Sequence, residues 1–271
     1  MRADRNGQLF FCVHYSLLIV KHPFIQRYTF FFIFITMQEQ HYKWHSPHLG
    51  HEFEMLVYGD EGYPLILFPT SMGRHHEHRD NGLIQALKWF VDNQLIRIYC
   101  PDSVDTNSWY NPHISPAERA LNHIRYDSML REEVLEKVTM ETGIHRVAVA
   151  GCSFGGYHAA NFAFRYPERV SYLFSLSGVF DVRPRLNGHY DENVYYHNPV
   201  DFMPDNPHEA LWRMGIILGV AEKDITRSQN ETMSGILTNK GIMHWLDVRA
   251  NGTHDWPTWL EMLPFYLSLI K

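Results

Sequence analysis

A chain of 271 residues with a formal net charge of −6 and no basic stripe argues against a nucleic-acid partner. The length suits one large α/β domain or two small ones, and no Gly/Ser/Pro-rich linker, internal repeat or low-complexity tract divides it. Three cysteines, Cys12, Cys100 and Cys152, do not suggest a disulfide framework.

Residues 1–36 differ from everything that follows. An apolar run over residues 9–20 stands behind Arg2 and Arg5 and imitates a signal peptide, but no small-x-small cleavage site follows. Lys21, His22 and Arg27 break the stretch before a second run over residues 29–35, and neither run reaches the ~18 residues of a membrane span. Met37 then opens Gln38-Glu39-Gln40-His41, an ordinary cytosolic start. Residues 1–36 are therefore read as an N-terminal extension outside the fold, from a misassigned start codon, in a cytoplasmic protein. The alternative is a genuine leader for export or membrane association. Residues 37–271 are read as one catalytic domain.

From about residue 52 apolar strands alternate with helical runs, which predicts an α/β fold with a mostly parallel central sheet flanked by helices. The strand over residues 64–68 leads into Pro69-Thr70-Ser71-Met72-Gly73. Next comes Arg74-His75-His76-Glu77-His78-Arg79-Asp80, where three imidazoles in four residues could share a transition metal. No zinc-protease spacing is met and flanking arginines oppose a cation, so the segment is read as a polar loop and no metal is expected. Aromatic residues make up 14% of the chain; Trp109, Tyr110 and Trp256 fall in loops where they could line an acyl or ring-binding pocket.

An apolar strand over residues 145–150 then meets Gly151-Cys152-Ser153-Phe154-Gly155, and a small-residue helical run follows until Pro167. Strand, G-x-S-x-G, helix is the setting of a nucleophile elbow, where a strained turn exposes the serine and side chains two residues either side would collide. Glycine at minus two and plus two centres the turn on Ser153, not on Cys152. A serine hydroxyl needs a histidine base held by a carboxylate, and in this architecture the chain order is Ser, acid, His. Among 18 histidines, His254 stands between the last strand, over residues 241–249, and a terminal helix over residues 258–270. The acid should follow the strand over residues 214–220. Asp224 is the leading candidate there, with Glu222 in reserve and Asp181, after the strand over residues 170–177, as a third option. Two backbone N–H groups must face the developing oxyanion. Phe154 supplies one, and Ser71 or Met72 the other.

Pro69-Thr70-Ser71-x-Gly73, Asp102-Ser103-Val104-Asp105-x-x-Ser108-Trp109-Tyr110-Asn111, the elbow with Gly155-Gly156, and His254-Asp255-Trp256-x-x-Trp259 together resemble the putative esterase family. That is the α/β-hydrolase branch that includes esterase D and the antigen 85 mycolyltransferases. The resemblance spans roughly residues 40–271 and implies an α/β-hydrolase fold and a serine esterase, thioesterase or acyltransferase without cofactors. The chain departs from the pattern at Phe154, where related enzymes often carry Met or Leu, and at Met72, where a second glycine is common. The expected activity is hydrolysis of a small-molecule carboxylic ester or thioester through an acyl-enzyme, with an acyltransferase as the nearest rival. A non-catalytic binding protein is disfavoured because no triad member is missing. A homo-oligomer stays open.

Overall fold

The computed structural model describes residues 37–269, together with an antiparallel pairing of Leu17–Leu18 with Phe31–Phe32. It divides the chain into two units, Met1–Met37 and Gln38–Lys271. The reading of residues 1–36 as an extension, and the role of Cys12, lie outside the described residues.

Eight strands of the second unit form one sheet: β1 (Glu39–Ser46), β2 (His51–Tyr58), β3 (Tyr63–Phe68), β4 (Ile96–Pro101), β5 (Val147–Cys152), β6 (Val170–Leu176), β7 (Gly215–Ala221) and β8 (Trp245–Arg249). Their order is β8-β7-β6-β5-β3-β4-β2-β1. The β1–β2 and β2–β4 pairs are antiparallel and all others are parallel. Every residue of β4 and β5 is buried, because helices cover both faces; such strands read as unbroken apolar runs instead of alternating ones. The edge strand β1 alternates between exposed and covered residues instead.

Five longer helices accompany the sheet: α1 (Pro116–Met129), α2 (Leu135–Thr142), α3 (Phe154–Arg165), α4 (Arg227–Asn239) and α5 (Trp256–Leu267). Ser115 caps α1 by accepting the Glu118 N–H, with Pro116 as the first helical residue. Asp255 stands at the N-terminus of α5 and accepts the N–H of the next residue, Trp256, at 2.7 Å. All of α3 from Phe154 to Phe164 is buried, so this helix packs as a core element.

The last strand begins at Trp245, four residues later than the sequence pattern predicts. Gly241 (φ 67°) donates to the Thr238 carbonyl and Ile242 to that of Leu237, a Schellman closure of α4. The apolar Ile242 thus seals a helix end and does not start the strand. Among the described residues, no helix is long and apolar enough to cross a membrane.

Candidate active site

β5 passes directly into α3 through Ser153, whose φ of 56° and ψ of −118° lie where residues with a side chain are strained. The flanking glycines make this turn possible. A Cβ on Gly151 would overlap the Gly155 carbonyl, and one on Gly155 would overlap the carbonyl oxygens of Phe68 and Pro69 at the end of β3. Cys152 is fully buried, and burial pushes its thiol well above the ordinary range, so it stays a neutral core group.

Two loops from the ends of β7 and β8 meet this turn. His254 Nε2 lies 2.8 Å from Ser153 Oγ, and His254 Nδ1 lies 2.8 Å from Asp224 Oδ1. An ionised carboxylate can only accept, so Nδ1 carries the proton and Nε2 of the neutral ring accepts from the serine hydroxyl. The Asp224 side chain is fully buried and also accepts the Thr226 N–H and hydroxyl, both at 2.8 Å. Burial alone would raise its pKa. The hydrogen bonds from His254 and Thr226 outweigh that and hold the carboxyl down at about 2. The His254 ring packs edge-on against Trp259, whose indole N–H is spent on Ser177 Oγ at 2.8 Å.

The other two carboxylates lie apart from His254. Asp181 is clasped by Arg183 at 2.8 and 2.7 Å and accepts from Asn198. Glu222 is exposed, and only its backbone is engaged, with Arg249 and Arg227.

The loop after β3 is tied down by groups that the sequence pattern did not single out. Glu77 accepts both the N–H and the hydroxyl of Thr70 at 2.7 Å; burial raises the pKa of its carboxyl. Met72 sits at φ 57°, the left-handed region, which explains why glycine suits this position. Its N–H donates to Asp105 Oδ2 at 2.9 Å, while Asp105 Oδ1 pairs with His158 of α3 at 2.8 Å, both of these side chains being buried. Of the two donors proposed from sequence, Met72 therefore has its N–H occupied. Among the described residues the N–H groups of Ser71 and Phe154 make no hydrogen bond. Asp105 belongs to the motif that carries the family resemblance, but nothing in its spacing assigns it a partner.

The three imidazoles of the polar loop point three ways. His76 pairs with Asp80, His78 is buried against the Phe68 carbonyl, and His75 stacks on His41 beside Glu54. Of the three aromatic residues expected to line a pocket, Trp109 is only 1% exposed and packs on His123 and Tyr157. Tyr110 and Trp256 remain half-buried. Tyr110 stands edge-on to Phe154, and its hydroxyl meets Ser71 Oγ at 2.8 Å.

Residues 101–267 match the family model described as Putative esterase. No curated protein matches the chain by sequence. Similar solved structures include a ferulic acid esterase (TM-score 0.70, 16% identity, covering 87% of this chain and 100% of that one). The Staphylococcus aureus fluorophosphonate-binding serine hydrolase FphF has TM-score 0.69 at 15% identity, with 86% and 98% covered. An S-formylglutathione hydrolase from Agrobacterium tumefaciens has TM-score 0.69 at 14% identity, with 86% and 94% covered. These likenesses establish the α/β-hydrolase fold. The family match covers more than half of the sequence, and the chain accordingly belongs to the Putative esterase family.

Proposed function

We propose that the protein hydrolyses a small-molecule carboxylic ester or thioester through an acyl-enzyme formed on Ser153. The observation that carries this reading is the unbroken chain Ser153 Oγ–His254 Nε2, His254 Nδ1–Asp224 Oδ1, each link at 2.8 Å, built on a strained elbow.

In this reading Ser153 Oγ attacks the carbonyl carbon as its proton passes to His254 Nε2. The imidazolium so formed is stabilised by Asp224, already ionised and fixed by Thr226. The N–H groups of Phe154 and Ser71 hold the oxyanion. Met72 is the weaker of the two candidate donors, because its N–H would have to leave a buried carboxylate. His254 returns its proton to the leaving oxygen or sulfur, then takes one from water as the hydroxide oxygen joins the acyl carbon. Collapse breaks the bond to Ser153 Oγ, which takes the proton from His254, and releases the acid.

The test is a screen of purified protein with 4-nitrophenyl esters of graded acyl length, a thioester and a feruloyl ester, each with and without an added acceptor alcohol. Hydrolysis that disappears in Ser153→Ala supports the reading. Product that is mostly transferred to the alcohol would make the protein an acyltransferase on the same residues. No turnover of any substrate, with the fold intact, would overturn the proposal.

A further inference from the structure

Two arginines stand without an acidic partner beside the residues proposed to hold the oxyanion. Arg185, in the segment between β6 and β7, donates from Nη2 to the Tyr110 hydroxyl at 2.7 Å, and that hydroxyl meets Ser71 Oγ at 2.8 Å. Its guanidinium carbon lies 4.7 Å from the ring centres of both Tyr110 and Phe154. Arg119 of α1 is only 8% exposed and donates to the Arg185 carbonyl at 2.6 Å. Among the described residues no carboxylate comes within 4.0 Å of either guanidinium, and the Nε of each is buried without an acceptor.

Buried arginines are almost always paired, because taking a charge out of water costs several kcal/mol unless an opposite charge compensates it. Among the other covered arginines, Arg97 pairs with Glu141 and Arg165 with Asp127, while Arg146 donates to the Val170 carbonyl. Cation–π contact with two rings recovers part of the cost for Arg185 and leaves its charge uncompensated. Arg185 is half-buried, so an anion can approach it from solvent. A guanidinium presents a planar fork that matches a carboxylate.

Resting on the serine-esterase reading of Ser153, we propose that Arg185, backed by Arg119, binds a carboxylate carried by the substrate. The preferred substrates are then esters whose acyl or alcohol part bears an anionic group that reaches the face of Phe154. The two sides of the ester are separate arms of one test.

The acyl arm compares mono-4-nitrophenyl adipate with 4-nitrophenyl hexanoate; the alcohol arm compares 4-acetoxybenzoate with its methyl ester. In at least one arm, the ratio of kcat/KM for the anionic over the neutral ester should fall by about 10-fold or more in Arg185→Gln. Arg185→Lys should restore part of it, and raising NaCl to about 0.5 M should lower the wild-type ratio. Ratios unchanged in both arms overturn the proposal, and should Arg185→Gln not fold, a salt-independent wild-type ratio does so alone. Should wild type cleave none of the four esters, binding decides the anion site, and the esterase reading fails only if the wider ester and thioester screen is also negative. Calorimetric titration of adipate and 4-hydroxybenzoate into Ser153→Ala, with and without Arg185→Gln, should then show affinity lost with the arginine; equal affinity, or none, overturns the site.

Discussion

Asp105 joins two elements that must be in register at the candidate site: Oδ2 takes the Met72 N–H at 2.9 Å and Oδ1 takes His158 Nε2 at 2.8 Å. Met72 is in the loop after β3, and His158 lies five residues beyond Ser153 on α3. A single buried carboxylate thus holds a loop at positive φ against the helix that starts at the nucleophile.

Asp105→Asn should for this reason lower kcat by about 10- to 100-fold with a smaller change in KM, since it weakens a charge-assisted bond that positions the loop. Asp105→Ala should cost about 3–5 kcal/mol of stability by leaving His158 unpaired in the interior. Steady-state kinetics and urea unfolding of the two variants separate positioning from packing. Wild-type kcat in Asp105→Asn would remove the positioning role.

Ser153→Ala should abolish hydrolysis of an activated ester while the unfolding transition stays close to wild type, because the half-buried hydroxyl does little packing. Cys152→Ala should keep most of the activity, since its thiol is held neutral in the core. Rates on one 4-nitrophenyl ester check both, and loss of activity in the cysteine variant alone would contradict the assignment.

Asp224→Asn should lower kcat by about 10⁴-fold with the fold retained, because an amide favours the wrong imidazole tautomer and cannot stabilise the imidazolium. Glu222→Gln and Asp181→Asn should each stay within about tenfold of wild type, as exposed or separately paired charges. Measuring kcat for all three ranks them directly. A crippled Glu222→Gln or Asp181→Asn beside an active Asp224→Asn would unseat Asp224.

Acid should destabilise the protein in a window set by its buried histidines. Burial pushes His78 down to about 4 from its usual 6.5; burial, with nearby positive charge, also lowers His123 and His197. The unfolded chain takes up protons at these groups below about 6.5 while the folded one does not, so stability falls as pH falls from there toward 4. Full expression of the His78 shift is ~3 kcal/mol. His48, raised by its bonds to Glu133 and Glu132, acts in the opposite direction but is partly exposed. Asp224, held at about 2, contributes stability that disappears only as pH drops from about 4 to about 2. Scanning calorimetry between about pH 7.5 and pH 5 should show Tm decreasing; a flat or rising Tm would contradict this account.

The sequence by itself determined the strand–helix alternation and the elbow, because both follow from local rules. Apolar runs buried on both faces mark the central strands, and Gly151 and Gly155 are demanded by backbone contacts within one turn and with the end of β3. Chain order was enough to single out His254 and Asp224 as candidates, since a parallel sheet brings the loops at one end of its strands together. β8 starts later than its apolar pattern because Ile242 is apolar for a helix closure, a distinction that rests on hydrogen bonds and not on hydropathy. Only the tertiary structure decided the partners of Met72, His75, Asp105 and Arg185. Their neighbours lie 33 to 75 residues away for Met72 and Arg185, and side-chain direction after a loop depends on backbone angles that no short motif encodes. The same fact explains why three histidines within four residues end in three unrelated environments.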